Sequence, residues 1–301
     1  MSKERIREIV ARRTSADGFV ETGVEGVQLF RLTTPLHCAP AVYEPCVVAI
    51  VSGSKEAIVD SQRYRYDQQK YFCCTLSMPV EAGAPEASPK NPLLGVYLSL
   101  NTRVLTELTI AMGSVSDGRR GSQVGSQPPG LALASWDEKF TDALLRLLEL
   151  EGKQEEASVL GEGRLRELYY AILKGEAGES LRHSFGVGNE VGRAIHHLSS
   201  RLSEVVTIEE LAARAGMSRA VFHRKFKQAT AMSPIQFVKS MRLNKAAMRI
   251  AQGMTVNEAA QEVGYQSSSQ FSRDFKKRYG QSPKIWSQSN PGAVGGLVLE
   301  K

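Results

Sequence analysis

The sequence predicts an α+β protein: a small β-sandwich or barrel with flanking helices, then a wholly helical C-terminal region built on one unit used twice. Three observations lead there. Between about Gly18 and Leu100, short β-branched and aromatic runs alternate with Gly, Pro, Asp and Ser turns. From Glu190 onward, apolar residues recur at helical spacing in two copies of one pattern. The charge also divides: of 38 Lys+Arg and 32 Asp+Glu in 301 residues, the part from Glu190 onward holds 17 and 8, which leaves the rest slightly acidic.

The N-terminal MSKERIREIVARR is amphipathic and lacks the unbroken apolar centre of a signal peptide. No apolar run approaches the roughly 20 residues that span a bilayer, so a cytoplasmic protein without a membrane partner is expected. VQLFRL, CVVAIVSG, KEAIVDS, QRYRYDQQKYFCCTLS and LLGVYLSL read as strands. SVSDGRRGSQVGSQPPG is a polar loop whose glycines do not make a phosphate-binding pattern. Two amphipathic helices follow, WDEKFTDALLRLLELE and GRLRELYYAILKGE, with Phe140, Leu144, Leu147 and Leu148, then Leu165, Leu168 and Ile172, at helical spacing. They either cover an open face of the β-region or pair with a second copy. GEAGESLRHSFGVGNE, with four glycines, reads as a linker, and SNPGAVGGLVLEK as a loose tail. The expected divisions are a β-domain with two C-terminal helices over 1–175, a linker over 176–189, the repeat over 190–290 and a tail over 291–301.

Cys38, Cys46, Cys73 and Cys74 have no CxxC spacing, and a reducing compartment keeps them as thiols. Cys73 and Cys74 alternate across a strand, one facing the core and one outward. His37 is the only histidine of the β-region, and His196 and His197 are adjacent on a helix, where neighbours face apart. No catalytic group, metal site or cofactor is assigned.

In the repeat, Phe222 and Phe226 match Phe271 and Phe275 at an offset of 49, as Pro234 matches Pro283. Gly216 and Gly264 are only 48 apart, so the second copy carries one extra residue in its turn. TIEELAARAG opens on Thr207 with Glu210 three residues on, and TVNEAAQEVG on Thr255 with Glu258, both capping-box signatures. In each copy a glycine turn leads to a second helix capped by Ser218 or Ser267. Its phenylalanines face inward, with Arg219, Ala220, His223, Arg224 and Lys227 outward in one copy and Ser268, Ser269, Gln270 and Arg273 in the other. Two short helices around a glycine turn, the second with a polar and basic outer face, make a helix-turn-helix. SPIQFVKSMRLNKAAMRIAQG between the copies is a longer helix that spaces them stiffly.

On LAARAGMSRAVFHRKFKQATAMSP followed by AAQEVGYQSSSQFSRDFKKRYGQSP, residues from about Glu190 to Trp286 resemble the DNA-binding domain of the AraC/XylS family of transcription regulators. YEPCVVAIVSGSKEAI and CCTLSMPV resemble the sensor domain of one branch of that family. The resemblance implies a cupin-like β-barrel joined to seven helices that hold two helix-turn-helix units. It places Ala220, His223, Arg224, Ser268, Ser269, Gln270 and Arg273 at base-reading positions, and Arg219 shares their outward face. Ser218, Lys227, Arg242, Ser267 and Lys276 are expected on phosphates.

One departure concerns Ala231-Met232, where the family has glycine. A left-handed alanine costs on the order of 1 kcal/mol, so this helix is expected to end another way. The expected partners are double-stranded DNA, read over two adjacent major-groove segments, and a small-molecule effector. RNA polymerase and a second copy of the chain stay open as further partners. The effector pocket is not assigned. A small, largely apolar ligand bound reversibly is preferred over covalent sensing at Cys46, Cys73 or Cys74, whose basic neighbour is only a loosely placed Lys70. The rival reading is a cupin-type enzyme acting on a small molecule, with the basic region as a tether; the lack of a histidine cluster speaks against it.

Overall fold

The computed structural model describes residues 2–113, 130–186, 189–204 and 206–289, so all but the last residue of the polar loop and all but the first of the SNPGAVGGLVLEK tail lie outside the described residues. Helix α1 (Ser2–Arg13) buries Ile6, Ile9 and Val10, the apolar stripe of its sequence. Nine strands follow: β1 (Gly18–Glu21), β2 (Val27–Leu32), β3 (Leu36–Tyr43), β4 (Cys46–Ser52), β5 (Lys55–Val59), β6 (Gln62–Tyr66), β7 (Lys70–Cys74), β8 (Met78–Ala84) and β9 (Leu93–Ser99). Then come α2 (Thr102–Gly113), β10 (Leu131–Ser135), α3 (Glu138–Leu148), α4 (Gln154–Lys174) and α5 (Gly178–Phe185).

The strands form two antiparallel sheets, ordered β1-β2-β9-β4-β7-β10 and β3-β8-β5-β6. Among the described residues no ladder joins the sheets, so the barrel stays open as a sandwich. Tight connections set the register. β5 turns into β6 through Asp60 and Ser61 at φ 46° and 70°, the left-handed pair that a two-residue hairpin loop needs. The long QRYRYDQQKYFCCTLS run breaks where the Asp67 carboxylate accepts from the Gln69 N–H at 2.9 Å.

β4 is buried along its whole length, because the larger sheet is covered on both faces. Val47, Ala49 and Val51 pack under the helices α1, α3 and α4, while Cys46, Val48 and Ile50 face the sandwich interior. Tyr71 stacks on Phe140 of α3 at 4.2 Å between ring centroids. The two amphipathic helices therefore cover the open face. The same layering corrects the expectation for the cysteines. Cys74 faces the interior and Cys73 the helical layer, and both are fully buried. The glycine-rich 176–189 stretch also differs from a plain linker: α5 runs through it and buries Leu181 and Phe185 against the helical layer.

Among the described residues seven further helices follow: α6 (Glu190–Ser200), α7 (Ile208–Arg214), α8 (Arg219–Thr230), α9 (Pro234–Ala251), α10 (Val256–Glu262), α11 (Ser268–Tyr279) and α12 (Pro283–Ser289). Phe222, Phe226 and Phe237 pack at 5.5 and 5.3 Å between ring centroids and are fully buried, as are Phe271 and Phe275 in the second copy. The copies differ in what their cores join. Phe222, Phe226 and Phe237 belong to one contiguous cluster with the sandwich interior, whereas Phe271, Phe275 and Trp286 form a separate one.

Helix α9 does more than space the copies: it packs on β3 and β8 of the smaller sheet. Met248 and Ala251 meet Val42, and Asn244 is fully buried between them and the strands. Its amide donates to the carbonyls of Ala41 at 2.8 Å and Val80 at 2.7 Å, and its oxygen accepts from the Tyr279 hydroxyl at 2.7 Å. Arg278 pairs with Glu81 beside it at 3.1 Å. At the other side, the Gly130 N–H donates to the Ala229 carbonyl of α8 at 3.2 Å, so close that a Cβ on residue 130 would stand 2.8 Å from that oxygen.

The end of α8 overturns one expectation. Ala231 does adopt the left-handed conformation, φ 62° and ψ −4°, as Gly280 does at the end of α11 with φ 76° and ψ −15°. The Thr230 hydroxyl holds it there, donating toward the Phe226 and Met232 carbonyls and accepting from the Met232 N–H at 3.2 Å.

Two stability measurements follow. Ala231→Gly should raise unfolding free energy by about 0.5–1 kcal/mol in urea titration, since it relieves the left-handed strain at some cost in chain entropy. Asn244→Ala should lower it by about 1–3 kcal/mol, because the Ala41 and Val80 carbonyls lose a buried donor and the Tyr279 hydroxyl an acceptor.

Candidate nucleic-acid interface

Each helix-turn-helix is fixed by local chemistry at its helix ends. In α7 the Thr207 hydroxyl accepts from the Glu210 N–H while the Glu210 carboxylate accepts from the Thr207 N–H, and Thr255 and Glu258 repeat the arrangement in α10. Hydrogen bonds from the Thr207 backbone and side chain hold the Glu210 carboxyl below its ordinary value of 4.5, and those from the Thr255 side chain and backbone do the same for Glu258. Both boxes therefore contribute above that value and are lost as falling pH protonates the carboxylates.

The turns hold Gly216 at φ 62° and Gly264 at φ 86°. After the glycine the first copy has Met217 alone before its cap and the second has Tyr265 and Gln266, which locates the extra residue. Only Gly264 is also sterically required, since a Cβ there would lie 2.7 Å from the Ser203 carbonyl. Ser218 caps α8 by accepting from the Val221 N–H, and Ser267 caps α11 by accepting from the Gln270 N–H. The first-turn N–H groups of both second helices thus open on exposed surface, where they can meet an anion.

Arg219, Ala220, His223 and Arg224 on α8 are all exposed, and so are Ser268, Ser269, Gln270 and Arg273 on α11. Ser218, Lys227, Ser267 and Lys276 are exposed beside them. Arg273 donates to the Gln270 side chain at 2.8 Å, which organises two neighbouring polar groups on one face. Arg219 pairs with Glu209 of α7 at 2.9 Å, both well exposed, a contact cheap to exchange for another partner.

Arg242, expected on a phosphate, is half-buried. Its guanidinium donates to the carbonyls of Leu202 at 2.8 Å and Glu204 at 3.0 Å, which ties the α6–α7 connection to α9. Further basic side chains, Lys225 on α8 and Lys277 on α11, are exposed on the same helices; the helical phase already placed them outward. Lys239 of α9 pairs with Asp274 of α11 at 2.6 Å, and the Tyr265 hydroxyl donates to the same carboxylate at 3.2 Å. The second copy is thereby locked onto the connecting helix.

In the sandwich, His37 is exposed rather than turned into the interior. Burial pushes the Cys46 thiol up to about 12 and also raises the Cys73 and Cys74 thiols, and half-buried Cys38 rises to about 12 through burial and its bond to Glu56. Such thiols lack the thiolate that reaction requires.

Comparison with known proteins adds to this geometry. The family model described as AraC-type transcriptional regulator N-terminus matches residues 23–180, and one described as helix-turn-helix domain matches 211–289. An uncharacterised HTH-type transcriptional regulator of Haemophilus influenzae is 45% identical over 83 residues, 27% of this chain and 28% of that protein. The HTH-type transcriptional regulator MtrA of Neisseria gonorrhoeae is 35% identical over 94 residues, 31% of each chain. The chain thus spans about three-tenths of the length of these curated relatives. A structure of ToxT from Vibrio cholerae matches with a TM-score of 0.53 at 11% identity, over 90% of this chain and 99% of that one. A second, titled as bound to unsaturated fatty acid, matches at 0.52 and 11%, over 96% and 100%. That likeness concerns the fold. With one family model covering more than half of its residues, the chain belongs to the AraC-type transcriptional regulators.

Proposed function

We propose that this protein is an effector-responsive, sequence-specific DNA-binding transcription regulator. The N-terminal sandwich and its helices act as the sensor, and the helices from Glu190 onward read DNA. The observation that carries the reading is the duplicated unit, which presents two second helices with capped N-termini and exposed polar and basic faces. A helix of that kind fits the major groove, where arginine, glutamine and serine reach base edges while lysines and N-terminal N–H groups hold phosphates. In this reading Arg224 and Arg273 read bases, with His223, Ser268, Ser269 and Gln270. Ala220 supplies only a methyl contact, to thymine. Arg242 is left to a structural role. The sandwich would act through α9, since that helix touches both sheet and recognition units, and a ligand shifts the arrangement only if it binds the two states unequally.

Footprinting the intact protein on a site selected from random DNA should give two protected patches about 10 bp apart. A single patch would remove the two-segment reading. On the same site Arg273→Ala should cost about 1–3 kcal/mol of discrimination at one or two base positions, while Lys227→Ala should weaken specific and random DNA alike. Equal losses from both variants on both kinds of DNA would exclude Arg273 as a base reader.

A further inference from the structure

Lys55 opens β5 with its side chain on the same face as Ala57 and Val59, the face turned into the sandwich. It is 2% exposed. Its ammonium lies 5.2 Å from the Tyr43 ring centroid and 5.9 Å from that of Phe30, between the two sheets. Among the described residues it has no ion-pair or hydrogen-bond partner.

The neighbours are donors too. Tyr66 stands opposite Lys55 in the β5–β6 ladder and stacks on Phe72 at 5.0 Å. Tyr43 and Tyr64 pack against the same Phe72 ring at 5.8 and 6.3 Å. The hydroxyls of Tyr43, Tyr64 and Tyr66 are all buried without a hydrogen-bond partner. Tyr43 and Tyr66 are near enough to influence each other, yet neither completes a bond of normal geometry. Burial holds every one of these phenols, and the Cys46 thiol close to Lys55, in the protonated form. Burial also lowers the Lys55 ammonium to about 8, which still leaves most of it charged at neutral pH.

A buried interior that gathers one cation and three hydroxyls without hydrogen-bond partners lacks a negative charge to offset the ammonium and a group to complete the hydroxyls' bonds. The faces of Phe30 and Tyr43 offset a part of the ammonium's desolvation. Water would satisfy the hydroxyls and leave the charge uncompensated. The side chains packed around them, Phe72, Ile50 and Val48 among them, are apolar, as small-molecule sites are around a few convergent polar groups. We propose that the sandwich interior binds a compact organic carboxylate with an apolar body, its oxygens on Lys55 and the hydroxyls of Tyr43 and Tyr66. This rests on the reading of the sandwich as an effector module and gives that effector a chemical class. It also refines the expected apolar ligand, because an ammonium at this place selects against a neutral one.

The test uses the full chain without DNA. Benzoate, phenylacetate and hexanoate, each against its primary amide, are added at millimolar concentration and thermal unfolding is followed. At least one acid should raise the midpoint by about 2–4 °C where its amide does not. Lys55→Met should abolish that rise while melting no lower than the parent by itself, because it removes an uncompensated buried charge. The double variant Tyr43→Phe with Tyr66→Phe keeps Lys55 and should weaken the acid about 10-fold or more. If no acid outperforms its amide, or if Lys55→Met keeps the acid's effect, the site is not there. A parallel mobility-shift assay separates the two readings. A protein that binds its selected DNA but no acid loses only the site, and one that binds acid but no DNA loses only the regulator assignment.

Discussion

Asn244 lies where a helix, two strands and a second helix meet out of reach of water. Apolar contact alone would let α9 slide or roll on the smaller sheet, since such contact has little direction. A primary amide with two donors committed to the Ala41 and Val80 carbonyls, and its oxygen committed to Tyr279, has one register. That constraint sets the rotation of α9 about its axis and its height on the strands. Because α9 carries one helix-turn-helix at each end, it also sets how both recognition helices stand relative to the sandwich.

The two copies answer to the sandwich through different physics. The core of the first is continuous with the sandwich interior, so a change in packing around Phe72 or Leu76 reaches Phe222 and Phe226 through contacts that tolerate little void. The second has its own core and is tied by polar groups, Tyr279 to Asn244, Arg278 to Glu81 and Asp274 to Lys239. Repacking graduates with volume, whereas a hydrogen bond or ion pair tends to be made or broken. A duplicated sequence has thus become two unequal halves of one coupling.

The helix-turn-helix repeat was legible because its determinants are local: caps, a turn glycine and apolar spacing all lie within one copy. Long-range placement was less so. Asn244 is visible as a polar interruption in the apolar stripe of α9, but nothing local says that two strand carbonyls await it. The four glycines around α5 suggested a linker, yet Gly175 and Gly186 stand just past the ends of α4 and α5, and Gly178 is the first residue of α5. They punctuate helices there. Ala231 shows a sound local cost outweighed by its surroundings, since the Thr230 hydroxyl and the buried Met232 fix the chain on both sides. Lys55 carries a local signal of its own. Strand alternation in KEAIV puts it in phase with Ala57 and Val59, so parity already turned it inward.

An open sandwich, unlike a closed barrel, keeps strand edges that could recruit a strand from another molecule. β3, at one side of the smaller sheet, lies under α9. β6, at the other side, carries Arg63 and Arg65 pointing outward, paired with Glu56 of β5 and with Glu86. Each arginine is more than half exposed, and the tyrosines between and after them are turned in. An incoming strand would have to bring its own side chains against these bulky, hydrated charges. The same alternation that lines the interior with aromatic rings therefore gives the sheet a solubilising margin, which guards the folded chain against self-templated stacking in a crowded solution.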